Sequence, residues 1–241
     1  MNTYPSKLKL AAFVFVMLSF ATACKLFSVV RGGNLITKTE TIETGTATSV
    51  RATIELGVGE LQLSGGADKL MDATFNYNIA EWNPQVTYAT SGDTGLLTVA
   101  QPDFEGFPGN VTNQWVVRLS NAVPLDLTVH TGAAKSELDL AGLSLTQVQV
   151  EAGAGETVID LTGYRAQDLN VAIKAGAGST TLRLPRDVGV RVEPKIGAGQ
   201  VYANGLKQDG NIYTNDALGQ SEHTIYVQIE AGLGSVYLQA Q

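Results

Sequence analysis

The sequence predicts an all-β fold: a β-helix-like solenoid stack of short strands with glycine corners. Three features carry that reading. A small Gly-x-Gly corner recurs, the apolar alternation on either side of it changes parity, and no window longer than two turns shows a capped helical stripe. Composition agrees: 26 glycines, 16% charged and 44% apolar residues suit a β core better than helices.

The corner falls at Gly57/Gly59, Gly153/Gly155, Gly176/Gly178, Gly197/Gly199 and Gly232/Gly234, with a degenerate copy at Gly132/Ala134. From Gly132 onward the first glycines are spaced by 21, 23, 21 and 35 residues; the last interval is lengthened by a polar insertion, 204–222. Apolar residues precede one corner at Val148, Val150, Ala152 and Ala154, and follow it at Ile159 and Leu161. The next copy gives Leu169, Val171, Ile173, Ala175 and Ala177, then Leu182 and Leu184.

A one-residue slip turns a strand's inward face outward, so the chain must bend or bulge at each corner. Glycine suits that place because it accepts positive φ and carries no Cβ. The residue between the glycines, Ala in four of the six copies, is read as pointing inward where space narrows. A unit of about 21 residues cannot bury its own apolar face, whereas stacked units about 4.8 Å apart can. A β-sandwich also holds many short strands, but it does not demand the same slip at a regular interval.

Residues 1–23 read as a signal peptide. Lys7 and Lys9 precede an apolar run from Leu10 to Phe20, then Ala21-Thr22-Ala23. The run is shorter than the roughly 20 apolar residues a membrane span needs; the alternative is an uncleaved anchor helix. Cys24 is the sole cysteine, which rules out an intrachain disulfide and a cysteine-rich metal site. Its setting resembles the lipobox of bacterial lipoproteins, which implies acylation of Cys24 and anchoring on the extracytoplasmic side of the membrane. Ala21 stands where that motif usually has Leu, and Ala-x-Ala also suits ordinary signal peptidase, which would leave a secreted protein. Residues 24–34 then form a lipid-anchored tether. Residues 35–241 form the β-solenoid domain, with a cap and first strands over 35–121 and regular repeats over 122–241.

Two residues ahead of each first glycine lie Glu55, His130, Glu151, Lys174, Lys195 and Glu230. If sequential units are neighbours, Glu151 lies beside Lys174 and Lys195 beside Glu230, a solvated column from which no ligand is read. The net charge of −7 excludes a basic surface for nucleic acid.

No constellation points to catalysis. His130 and His223 lack a sequence-local ligand pair, and no Gly-x-Ser-x-Gly is present. Gly-Ala-Gly-Glu-Thr and Gly-Ala-Gly-Ser-Thr are followed by strand residues, not by the helix a phosphate cradle needs. Glu137, Asp139, Glu156 and Asp160 could form an acidic patch of the kind polysaccharide-active β-helix enzymes use, though strand solvation explains them equally. Trp82, Trp115 and the segment 102–108 offer either a carbohydrate platform or core and end-cap anchors. No metal site and no cofactor is indicated.

The Gly-Ala-Gly corners, the segment LPRDVGVRV from Leu184 to Val192 and the tail TIYVQIEAGLGSVYL from Thr224 to Leu238 are similar to the toast-rack family. The insertion GLKQDGNIYTN, from Gly205 to Asn215, resembles that family's hairpin ahead of its last strand. The resemblance covers about residue 35 to the end. It implies a β-helical stack in a family of candidate adhesins related to the C-terminal domains of cell-envelope stress regulators, with no established enzymatic chemistry. The partners it implies are a protein or glycan at the cell surface, the membrane through the lipid anchor, and another copy through the edge of the last strand, which ends near Gln241. Envelope-stress sensing through a membrane protein and a polysaccharide-active enzyme are the competing readings.

Overall fold

Period-two alternation dominates the chain. The computed structural model, which describes residues 29–30, 32–103, 107–108, 111–163 and 165–241, shows it as strands. Cys24 and the leader before it lie outside the described residues. In chain order the strands are β1 (Val29–Val30), β2 (Ile36–Ile42), β3 (Ser49–Ser64), β4 (Met71–Tyr77), β5 (Gln85–Ser91), β6 (Thr94–Ala100), β7 (Phe107–Pro108) and β8 (Asn113–Leu119). Then follow β9 (Leu125–Asp139), β10 (Leu145–Asp160), β11 (Leu169–Leu184), β12 (Gly189–Asn204), β13 (Lys207–Asp209), β14 (Ile212–Thr214) and β15 (Thr224–Ala240).

Six long strands form a parallel stack in the order β3, β9, β10, β11, β15, β12. Each strand runs unbroken through its glycine corner. The expected unit of two short strands is therefore one bent strand, because the ladder to its neighbours continues across the kink. Connection lengths require the bend. Between Asp139 and Leu145 lie only residues 140–144, which reach about 20 Å. A straight strand of 15 residues would be about 50 Å long. Each strand must double back into two arms, with the core between them.

Both arms contribute inward rows of opposite parity. In β10, Val148 and Val150 are buried on the first arm, and Thr157 and Ile159 on the second. Across the corner Gly153, Ala154, Gly155 and Glu156 are all exposed. Ala133, Ala177 and Ala198 are exposed as well, and Leu233 is 62% exposed. In five of the six corners the middle residue therefore points outward, contrary to expectation; Val58, in β3, is half-buried against the core. At the apex of a bend the arms converge on the inner side, and room for a side chain exists only on the outer one.

Strand order departs from chain order once. β15 lies between β11 and β12, paired with both along its length, so the last strand presents no free edge to another chain. The polar insertion makes this possible: it carries the chain past β12 and folds back on it through the β13–β14 hairpin. Buried Asn215 pins the insertion by accepting from Val190 N at 3.0 Å and donating to Pro185 O and Val188 O. Beyond the hairpin, which pairs only with Arg191 and Val192, the outer side of β12 has no strand neighbour among the described residues.

At the opposite end the sheet forks. The first arm of β3 pairs with β6, which pairs antiparallel with β5; the second arm pairs with β8, followed by antiparallel β4 and β2. Under the fork Trp82, Trp115 and Phe75 are fully buried, with the Phe75 and Trp115 rings edge to face at 5.1 Å.

Candidate functional site: a groove along the glycine corners

Repetition builds the site. The first glycines of the six corners stack down the outside of the bend and, with the charged column two residues upstream, line a groove of about 960 Å³. A Cβ at Gly153 would come within 2.7 Å of Gly132 O, and one at Gly197 within 2.8 Å of Gly232 O. The missing side chains thus open the groove and let adjacent rungs approach. The second glycines are required by conformation: Gly155 has φ +131° and Gly178 φ +133°, and a Cβ on Gly178 would overlap the Gly155 carbonyl. Gly59, Gly199 and Gly234 adopt the same conformation, whereas Ala134 occupies this register in β9 without positive φ.

The insertion of β15 determines the electrostatics. In strand order the column reads Glu55, His130, Glu151, Lys174, Glu230, Lys195, so Glu230 separates two lysines that chain order would have made neighbours. Lys174 Nζ donates to Glu151 Oε1 at 3.0 Å, His130 Nδ1 lies 3.3 Å from Glu151 Oε2, and Lys195 approaches Glu230 at 3.8 Å. The hydrogen bond from Lys174, then one from Gln149, holds the Glu151 carboxyl below its usual range. Glu151, and Glu230 beyond it, in turn raise the Lys174 ammonium. Glu55 and Asp103, at the far end of the groove, have no ion-pair partner among the described residues.

Two amides missed by sequence reasoning close that end. Gln101 Oε1 accepts from Gly57 N at 3.0 Å, Val58 N at 3.1 Å and Asn113 Nδ2 at 3.0 Å. Asn113 Nδ2 also donates to Val58 O at 2.7 Å, and its Oδ1 accepts from Trp115 Nε1 at 2.9 Å. Together they satisfy the corner backbone of β3 where the sheet forks and no strand is available. Both lie outside the repeat, and the backbone they serve is more than 40 residues away in chain for each, so no local pattern marked them.

The other singled-out residues are dispersed. Glu137, Asp139 and Glu156 are exposed on second arms; Asp139 accepts from Ala141 N, and Asp160 accepts from Thr162 N while lying 3.6 Å from Arg183. Asp139 and Asp160 face each other in register, whereas Glu156 faces Lys135. Two of the four carboxylates thus serve turns, and the set does not converge on a shared point. His223 lies beside Glu222 just past the end of the insertion, on a different element from His130. Trp82 and Trp115 are core residues and offer no carbohydrate platform; of 102–108, residues 104–106 lie outside the described set. Among the described residues no cluster of metal-ligating side chains occurs, and no helix is long and apolar enough to cross a membrane.

A bent parallel stack with its exposed chemistry along one corner defines a β-solenoid scaffold. The family profile of the N-terminal domain of toast_rack, DUF2154, matches residues 31–183, and the chain belongs to that family. The crystal structure of a candidate cell adhesion protein from Clostridium sporogenes has 29% sequence identity and a TM-score of 0.81, over 86% of this chain and all of that one. Candidate adhesins from Parabacteroides merdae (14% identity, covering 87% of this chain and 83% of that one) and Bacteroides fragilis (10% identity, 87% and 99%) align at TM-scores of only 0.34 and 0.24 and carry no weight here. No curated protein matches the chain.

Proposed function

We propose that the chain is a non-catalytic, adhesin-like binding lipoprotein of the bacterial cell envelope. In this reading residues 1–23 are removed, acylated Cys24 anchors the protein on the extracytoplasmic side, and the tether 24–34 presents the domain 35–241 to a protein or glycan. The observation that carries the reading is the groove: a solvent-open surface crossing all six rungs, lined by charged side chains on a scaffold whose carboxylates do not converge. The name of the Clostridium sporogenes relative supports it.

Two measurements test it. Mass spectrometry of the membrane-extracted protein should show a mature N-terminus at Cys24 carrying acyl chains; an unmodified N-terminus elsewhere removes the anchor. Glycan and protein arrays probed with the mature domain should give a saturable ligand that is recovered chemically unchanged. A ligand turned over by the domain would overturn the non-catalytic reading.

A further inference from the structure

Resting on that reading, we infer that the corner groove binds an extended peptide carrying charges of both signs, laid along the stack axis across the rungs. Six rungs at about 4.8 Å give the groove a length of about 24 Å, the span of seven to eight extended residues. Its charges are ordered. One end presents the uncompensated carboxylates Glu55 and Asp103, and the other presents Lys174 and Lys195 on either side of Glu230. The Lys195 side chain is 85% exposed and only loosely engaged at 3.8 Å, so it remains available to a ligand carboxylate.

Spacing refines the ligand. Lys174 and Lys195 are two rungs apart, about 10 Å, a span that flexible lysine side chains bridge to ligand carboxylates two residues apart, about 7 Å, on the same face of an extended chain. Glu55 lies three rungs from Lys174, about 14 Å, which places a ligand cation four residues before the first carboxylate. The pattern is therefore cation-x-x-x-acid-x-acid, with all three charges on one face. The glycine floor lets such a backbone lie close, since no side chain intervenes. Glycans fit the groove less well: among the described residues no Phe, Tyr or Trp side chain lines it, and a polyanion would meet Glu55, Glu151 and Glu230.

The probe is the octapeptide Lys-Thr-Ser-Thr-Glu-Ser-Glu-Thr, titrated by NMR or fluorescence anisotropy against the mature domain at low salt. Saturable binding is expected, weakened at least tenfold when Gln replaces both glutamates of the peptide or when the protein carries K174E and K195E. That double variant should gain affinity for Lys-Thr-Ser-Thr-Lys-Ser-Lys-Thr, an exchange of preference that altered stability alone would not produce; melting curves establish that the variant is folded. Absence of peptide binding, or binding indifferent to Lys174 and Lys195, overturns the inference. So does groove-dependent binding of polygalacturonate with the peptide inert. An array ligand whose binding ignores these substitutions also overturns it while leaving the binding-module reading intact.

Discussion

At one end of the stack β3 meets two antiparallel ribbons and an amide clamp; at the other, β12 meets a two-residue contact with a hairpin and then solvent. The first end is finished by abandoning the repeat. Residues 71–119 supply antiparallel strands, and where their fork leaves the corner of β3 uncovered, Gln101 and Asn113 replace the missing strand. The second end keeps the repeat to its last rung. Exposed edges are commonly guarded by charge or proline, yet the segment from Ala198 to Asn204 contains neither. Its protection is stereochemical: a strand added in parallel across the corner would need glycine at the first kink position, as every rung of the stack has, and at the second, as every rung but β9 has.

The largest expected effect tests that requirement. Replacing Gly178 by Val should destabilise by more than about 3 kcal/mol, through a disfavoured φ and collision with the Gly155 carbonyl. Gly66→Ala, also at positive φ but with open space around it, should cost only about 1 kcal/mol. Equal losses in denaturant titrations would show that conformation alone matters and that rung contact does not. At the capped end, Asn113→Ala should cost about 2–3 kcal/mol, because buried Trp115 Nε1 and Val58 O both lose a partner. A change below about 0.5 kcal/mol would mean water replaces the clamp.

A smaller effect tests the column. Glu230→Lys places three cations in adjacent rungs and should cost about 1 kcal/mol at low ionic strength, diminishing as salt is added. A salt-independent loss would indicate a packing defect. The smallest effect concerns pH. Because Lys174 and Gln149 depress the Glu151 carboxyl, its contribution to stability is present above the ordinary carboxylate pKa and lost as pH falls through the lowered one. Thermal melts below about pH 4 should therefore decline slightly more steeply in the parent than in Glu151→Gln. Identical slopes would show that the ladder is too exposed to register.

Sequence reasoning reached the stack because its signal is local. A parity change around paired glycines follows from a bent strand, and the six corners align in register. It also paired Glu151 with Lys174 and Lys195 with Glu230 correctly, since each pair holds in either strand order. The position of β15 was illegible, although a hint was present: chain order sets Lys174 against Lys195, and only an intervening acid removes the repulsion. The orientation of the corner alanines failed because alternation was carried through a bend where it no longer applies. Gln101 and Asn113 escaped because amides satisfying distant backbone leave no periodic trace.

The placement of β15 also bears on how the molecule is completed. β15 follows β12 in sequence yet forms an interior layer, bonded on both flanks, and Gln241 N still donates to Leu184 O at 2.9 Å. The first four rungs can pair in chain order, but β12 cannot take its place until β15 arrives to separate it from β11. β15 acts as a keystone. Trimming it would leave a gap inside the wall, with intact masonry stranded on the far side.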